Sequence, residues 1–199
     1  VFSEVDKKMS AFISKKMNID LIQAKKIQKK YFYESGTTLS GLMKHHKIDP
    51  NEFLEFVHDI DISWLPKDFL LREELKKIKE KKYIFTNGSH SHVVNVTKQL
   101  GIQDLFDGVF AITDADFVPK PHIDPYQKII KKFNLNPEES ILIEDIAHNL
   151  EQAKKLGMKT CWLENNEAFA KKDADKPYID YKIKSLPSFL QEINIIKAA

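Results

Sequence analysis

Ile141-Leu142-Ile143-Glu144-Asp145-Ile146-Ala147-His148-Asn149, continuing through Leu150 to Gly157, is the stretch on which the fold of this chain turns. Three consecutive apolar residues predict a buried strand, and two acids stand where that strand must end, directly before a helix closed by Gly157. Carboxylates so placed are exposed at the carboxyl edge of a sheet, where open α/β folds bind ligands. Adjacent acids there suit a hard cation with oxygen ligands such as Mg²⁺. The same residues can also cap and charge-complement the following helix, which needs no metal. These residues alone leave both readings open.

Working outward, strands and helices alternate on either side. Upstream, Leu70 to Lys82 reads as a helix, Tyr83-Ile84-Phe85 as a short strand running into Thr86-Asn87-Gly88, and Ser91 to Leu100 as a helix closed by Gly101. Gly108 to Ile112 is the next strand, and Asp124-Pro125 opens a helix that carries Ile129, Ile130 and Phe133 on one side. Downstream, Thr160 to Leu163 is a strand, Ile179, Tyr181 and Ile183 alternate like an edge strand, and Pro187 starts a terminal helix. This alternation predicts βαβ units and a parallel sheet, an α/β core over residues 67–199.

Residues 1–66 lack strands and read as an all-helical cap. Phe2, Val5, Met9, Phe12 and Ile13 recur at helical spacing, and a second helix from about Asp20 to Glu34 carries Leu21, Ala24, Ile27 and Tyr31 before stopping at Gly36. Asp49 as N-cap, Pro50 at the first helical position, Glu52 as capping-box partner and Ile48 with Phe53 as staple mark a further helix start.

The whole-chain totals exclude several classes. The 199 residues suffice for a substantial core, and 31 basic against 29 acidic residues leave a net charge of +2, too even for a bulk nucleic-acid or membrane argument. The basic run Lys25 to Lys30 reads as a solvated helix face. Cys161 is the single cysteine and lies in the apolar run Thr160 to Leu163, so it reads as buried filler in a reducing compartment. No apolar run approaches the roughly 20 residues of a membrane span, and the expectation is a cytoplasmic protein, a monomer or weak homodimer.

Three strand ends carry polar groups: Thr86-Asn87-Gly88, then Lys120 between Pro119 and Pro121, then Glu144-Asp145. Strands of a parallel sheet point one way, so these groups are expected to gather at one edge. A hydroxyl and backbone N–H groups before a helix N-terminus donate to phosphate oxygens. Lys120 offers a compact cation, and acids around a metal offset the remaining charge. Each piece has a plainer reading: Thr-Asn-Gly as an ordinary turn, Lys120 on a stiff exposed loop. His90, His92, His45 and His46 read as helix-flanking residues, because no further ligand accompanies them at metal-site spacing.

The order strand-Thr86-Asn87-Gly88, Pro119-Lys120-Pro121, strand-Glu144-Asp145 with Asn149 four residues on resembles motifs II, III and IV of the haloacid dehalogenase-like hydrolase superfamily. Gly36-Thr37-Thr38-Leu39, Val57-His58-Asp59-Ile60-Asp61, Ile84 to Gly88, Asp114-Ala115-Asp116-Phe117 and Pro119-Lys120-Pro121 look like its pyrimidine 5′-nucleotidase branch. The resemblance runs over about residues 1–185. It implies a Rossmann-like parallel core beneath a small helical cap, and Mg²⁺-dependent hydrolysis of a phosphate monoester through an aspartyl-phosphate. Thr86 and Lys120 would hold the transferring group, with Asn87 and Gly88 binding phosphate. Asp145 would ligate Mg²⁺ directly, and Glu144 would ligate it or orient a bound water. Thr37 and Thr38 would face the site and select the leaving group, the base or ribose of a nucleoside monophosphate. Positioning and charge neutralisation supply most of the acceleration in such chemistry.

The superfamily's first motif, a strand followed by Asp-x-Asp, is missing ahead of the cap. Asp114-Ala115-Asp116 follows a strand but comes after motif II and only a few residues before Lys120; Asp59-x-Asp61 and Asp173-x-Asp175 have no preceding strand. The expectation is a fragment of a longer protein, because loss of the central strand would leave two buried strands without a ladder partner. The competing readings are a phosphatase for another small ester, such as a sugar or vitamin phosphate, and a non-catalytic phosphate or nucleotide binder. A dehalogenase would leave Glu144 and Asp145 unexplained, and a response-regulator receiver has no helical cap of this size.

Overall fold

A computed structural model describes residues 1–198. Contacts divide the chain into two units, one of residues 1–67, 84–103 and 109–119, the other of 68–83, 104–108 and 120 onward.

In the first unit, helices α1 (Phe2–Met17), α2 (Leu21–Ser35), α3 (Thr38–His46) and α4 (Pro50–His58) enclose an apolar core. Val5, Phe12 and Ile13 of α1 meet Ala24 and Tyr31 of α2, Leu39 and Leu42 of α3, and Phe53, Leu54 and Val57 of α4. Phe12 and Phe53 pack edge to face at 5.2 Å, the arrangement the ring quadrupoles favour. Asp20, Thr37 and Asp49 cap α2, α3 and α4 by accepting from the backbone N–H groups of Gln23, Ser40 and Asn51. Glu52 does not complete a capping box: it pairs with Lys16 of α1 at 2.6 Å, which ties two helices together. Leu21, expected in the buried stripe, is 60% exposed, because as the first residue of α2 it has no preceding turn to cover.

The α3 helix is absent from the sequence reading, since Gly41 in its middle and Gly36 before it look like a loop. Gly41 serves packing instead. A Cβ there would stand 2.3 Å from the Cβ of Tyr31, so only a glycine lets α3 approach α2 this closely. The unit also contains α6 (His90–Leu100) and the loop 111–119, whose Ile112 is buried in the helical core.

Strand β1 (Tyr83–Phe85) is bonded to β2 (Gly108–Phe110). Thr86 N donates to Phe110 O at 2.9 Å and Ile112 N to Gly88 O at 3.1 Å, so the bonds advance in the same direction along both chains. The expected strand to Ile112 stops at Phe110, because Ala111 to Phe117 coil into successive turns.

In the second unit, β3 (Ile141–Glu144), β4 (Lys159–Leu163) and β5 (Tyr181–Ile183) form a parallel sheet in that order, with Ile143 opposite Cys161 and Cys161 opposite Tyr181. Helices α7 (Ile123–Phe133) and α8 (Leu150–Lys155), the short α9 (Ala168–Lys171), and α5 (Phe69–Lys77) with α10 (Leu186–Ala198) complete it. The α5 helix ends five residues short of the expected Lys82, since 78–82 offer no apolar stripe beyond Ile78. Ile141 to Ile143 are less buried than three consecutive apolar residues predict: Ile141 is 43% exposed. The reason is local, since β3 is laddered on its β4 side alone among the described residues.

Cys161 is fully buried as expected, and burial pushes its thiol up to about 11. Among the described residues, no helix is long and apolar enough to cross a membrane.

Candidate active site

Lys120, Glu144 and Asp145 belong to the second unit. Lys120 is only 4% exposed, and its Nζ lies 2.7 Å from Glu144 Oε2. The lysine on a stiff exposed loop is therefore not what the fold contains: Pro119 and Pro121 hold a buried ammonium against a buried carboxylate. Asn149 Nδ2 donates to the other Glu144 oxygen at 2.8 Å. Asn149 is itself buried and held by the Tyr126 hydroxyl, which donates to its carbonyl. Burial, then the charge of Glu144, raises the Tyr126 pKa, so that hydroxyl stays a donor.

Asp145 is treated differently. Its backbone carbonyl accepts from Trp162 Nε1 at 3.0 Å and its Oδ2 from Asn165 Nδ2 at 3.2 Å, while the side chain keeps access to solvent. The protein packed against its inner side, then the charge of Glu144, raises its pKa above the ordinary carboxylate value. An acid held at a strand end with its charge disfavoured is one that a cation would relieve. Among the described residues, no cluster of three or more His, Cys, Asp and Glu is arranged to hold a metal. Mg²⁺ asks for less, since one or two carboxylates and several waters satisfy it. The donor set at Glu144 and Asp145 fits that requirement.

Thr86, Asn87 and Gly88 belong to the first unit, where they form the turn after β1. Gly88 N–H donates to Thr86 Oγ1 at 2.9 Å, which fixes the hydroxyl oxygen and leaves its proton to donate outward. Ser89 caps α6, its Oγ accepting from His92 N–H at 3.2 Å. Across this turn lies His58, the last residue of α4. Its Nδ1 is 2.8 Å from Ser89 Oγ, and its ring stacks on His92 with centroids 4.3 Å apart. Burial, reinforced by His92, pushes the His58 pKa down to about 3, and burial lowers that of His92.

Thr37 and Thr38 sit at the start of α3. Thr37 is its N-cap, and the buried Thr38 donates to Gln28 O of α2 at 3.3 Å. Asp114, set aside as a nucleophile on sequence grounds, braces its own loop. Its Oδ2 accepts from Ala111 N–H at 2.8 Å and lies 2.7 Å from His90 Nε2.

Sequence reasoning missed Tyr126, Asn165, Ser89 and the pairing of His58 with His92. Asn149 was visible only through its spacing from the acids, and nothing local marks the others.

A family model for haloacid dehalogenase-like hydrolases matches residues 13–163, and the chain belongs to that family. It is 32% identical over 139 residues to a glyceraldehyde 3-phosphate phosphatase of Pyrococcus furiosus, a match covering 67% of this chain and 57% of the relative. It is 29% identical over 168 residues to phosphate metabolism protein 8 of Saccharomyces cerevisiae, covering 75% and 52% respectively. The chain thus spans little more than half the length of these relatives. Among solved structures, a HAD phosphatase from Thermococcus onnurineus superposes with a TM-score of 0.62 at 20% identity, over 98% of this chain and 89% of that one, which establishes the shared fold.

Proposed function

We propose that the protein is a Mg²⁺-dependent phosphomonoester hydrolase acting on nucleoside 5′-monophosphates, with pyrimidines preferred, through an aspartyl-phosphate whose nucleophile lies outside these residues. The observation that carries the reading is the buried Lys120–Glu144 pair beside Asp145, whose ionised form is disfavoured. A cation and an anion fixed in a dry site, next to an acid that benefits from a metal, suit a dianionic phosphoryl group. Asp145 would hold the metal, which would supply Lewis acidity toward a phosphoryl oxygen. Glu144, with both oxygens engaged, orients Lys120 and would support the metal only indirectly.

In this reading Thr86 and Lys120 hold the transferring group, and Asn87 and Gly88 contribute phosphate contacts. Residues 1–66 act as the cap over a core of 67–199. The loop at Thr37 and Thr38 faces the leaving group, Thr37 more directly, because Thr38 is buried with its hydroxyl on Gln28 O whereas Thr37 is partly exposed. The partly exposed Ile141, and a side of β3 that no strand among the described residues ladders, support a further strand that brings the nucleophile.

A second reading, a phosphatase for a small sugar-type phosphate, is favoured by the function named for the Pyrococcus relative. Assay of the full-length protein against nucleoside monophosphates and triose or sugar phosphates, with Mg²⁺ and with chelator, separates the two. Turnover of UMP or CMP that vanishes with chelator is expected. Turnover of sugar phosphates alone replaces the first reading by the second, and chelator-resistant turnover overturns the metal assignment.

A further inference from the structure

The turn Thr86–Gly88 contains a niche to which the proposed reaction assigns no residue of α4 or α6. A Cβ built on Gly88 would stand 3.3 Å from Thr86 Oγ1, 3.5 Å from His92 Cδ2 and 3.8 Å from His58 Nε2. The missing side chain therefore opens a small space bordered by a hydroxyl, an imidazole edge and an imidazole nitrogen.

The hydrogen bonds around Ser89 allow that nitrogen two states. Ser89 Oγ has one proton and two lone pairs, and it meets His92 N–H, His58 Nδ1 at 2.8 Å and Ser91 Oγ at 3.0 Å. The His92 N–H takes one lone pair. If Ser91 donates to the second, the Ser89 proton goes to His58 Nδ1, and a neutral His58 carries its own proton on Nε2, facing the niche. In the opposite arrangement His58 Nδ1–H donates to Ser89, Ser89 donates to Ser91, and the Nε2 lone pair suits the Thr86 hydroxyl but not an anionic phosphoryl oxygen. Burial keeps the ring uncharged, and its stacking on His92 fixes its plane.

We propose that His58 is a substrate-binding residue whose Nε2–H donates to a phosphoryl or ester oxygen of the substrate seated at the Thr86–Gly88 turn. Ser89 is a positioning residue that sets the His58 tautomer. The proposal rests on the reading of that turn as a phosphoryl site. It makes α4 the element that inspects substrate there, through an uncharged donor in addition to the Thr86 hydroxyl.

Long-range ¹H–¹⁵N correlation on the chain at neutral pH identifies the protonated nitrogen of His58, and titration with inorganic phosphate shows which groups respond. The expected result is an Nε2–H tautomer whose Nε2 resonance moves together with the Thr86 and Gly88 amides. His58→Phe then weakens phosphate binding about tenfold, the loss of one good hydrogen bond, and His58→Gln restores most of it by replacing the donor. Ser89→Ala mixes the tautomers, with amide changes confined to the first turn of α6, whose cap it removes. Amides that shift while His58 Nε2 does not, or an Nδ1–H tautomer, overturn the role of His58 and spare the phosphoryl turn. Phosphate that moves neither overturns both.

Discussion

Removing Lys120 should damage the fold as well as any chemistry, by an amount set by what it leaves behind. In Lys120→Met, the Glu144 carboxylate, whose side chain is 9% exposed, loses the ammonium 2.7 Å away and keeps Asn149. Breaking a buried pair from one side costs about 3–5 kcal/mol, because a desolvated charge is left behind. In a chain of this size that is a fall of roughly 6–20 °C in melting temperature. Glu144→Gln, which leaves the lysine facing an amide, should cost a similar amount. The double variant should cost less than the sum, with a coupling of at least about 2 kcal/mol. Urea unfolding followed by tryptophan fluorescence suits the measurement, because Trp162 is buried in β4 of the same unit whereas Trp64 is 57% exposed and changes little. Single variants that each lose under about 1 kcal/mol, or costs that add within about 0.5 kcal/mol, would refute the claim that the two charges depend on each other.

Asp145→Asn should raise stability at neutral pH without metal. The folded pKa lies above the ordinary 3.8, so ionisation opposes folding as pH rises past that value, and the advantage of the amide should vanish in acid. Millimolar Mg²⁺ should raise the melting temperature of the parent and leave Asp145→Asn unmoved; equal shifts in both would remove Asp145 as ligand. His58 is held at about 3 against an ordinary 6.5, so its contribution is fully present above 6.5 and is lost as pH falls toward 3. Equilibrium unfolding should show the parent losing up to about 1.4 kcal/mol per pH unit more than His58→Gln across that window. Gly41→Ala should destabilise the α2–α3 contact by about 1–3 kcal/mol despite alanine's better helix propensity, since its Cβ meets Tyr31; a gain in melting temperature would contradict the packing.

What could be read from the sequence follows from where the signal is stored. Asp20, Asp49 and Gly101 announce helix ends because capping is local chemistry, and those ends fall where expected. The run Ile141 to Asp145 announces a strand with acids at its end for the same reason. Gly41 misleads, because its purpose is a neighbour ten residues earlier in the chain, and a glycine read locally only weakens a helix. The polar network is harder still to see. Asn149 reaches Glu144 by way of a short helical turn, Tyr126 comes from another helix, and His58 meets Ser89 from 31 positions away. Each is an ordinary residue in its own window and becomes informative only through a partner that the window excludes.

Glu144 and Asp145 show why adjacency in the sequence could not assign either acid its role. Glu144 is the last residue of β3 and Asp145 the first beyond it, and the two meet different surroundings. Glu144 turns into the unit, where Lys120 and Asn149 occupy its two oxygens, and its charge is balanced before any ligand arrives. Asp145 is exposed, with Asn165 donating to its carboxylate, and burial of its inner side, then the neighbouring Glu144 charge, makes its ionisation harder. Had both acids been helix caps, they would close the N–H groups of the following turn; the Glu144 oxygens accept from Lys120 and Asn149 instead, and neither the short turn Ala147–Asn149 nor the start of α8 has a side-chain cap. A pair in which one carboxylate is neutralised from within and the other is left to be neutralised from outside is poorly explained by helix capping. It is what a site needs if it is to keep its buried cation in place while admitting a second one.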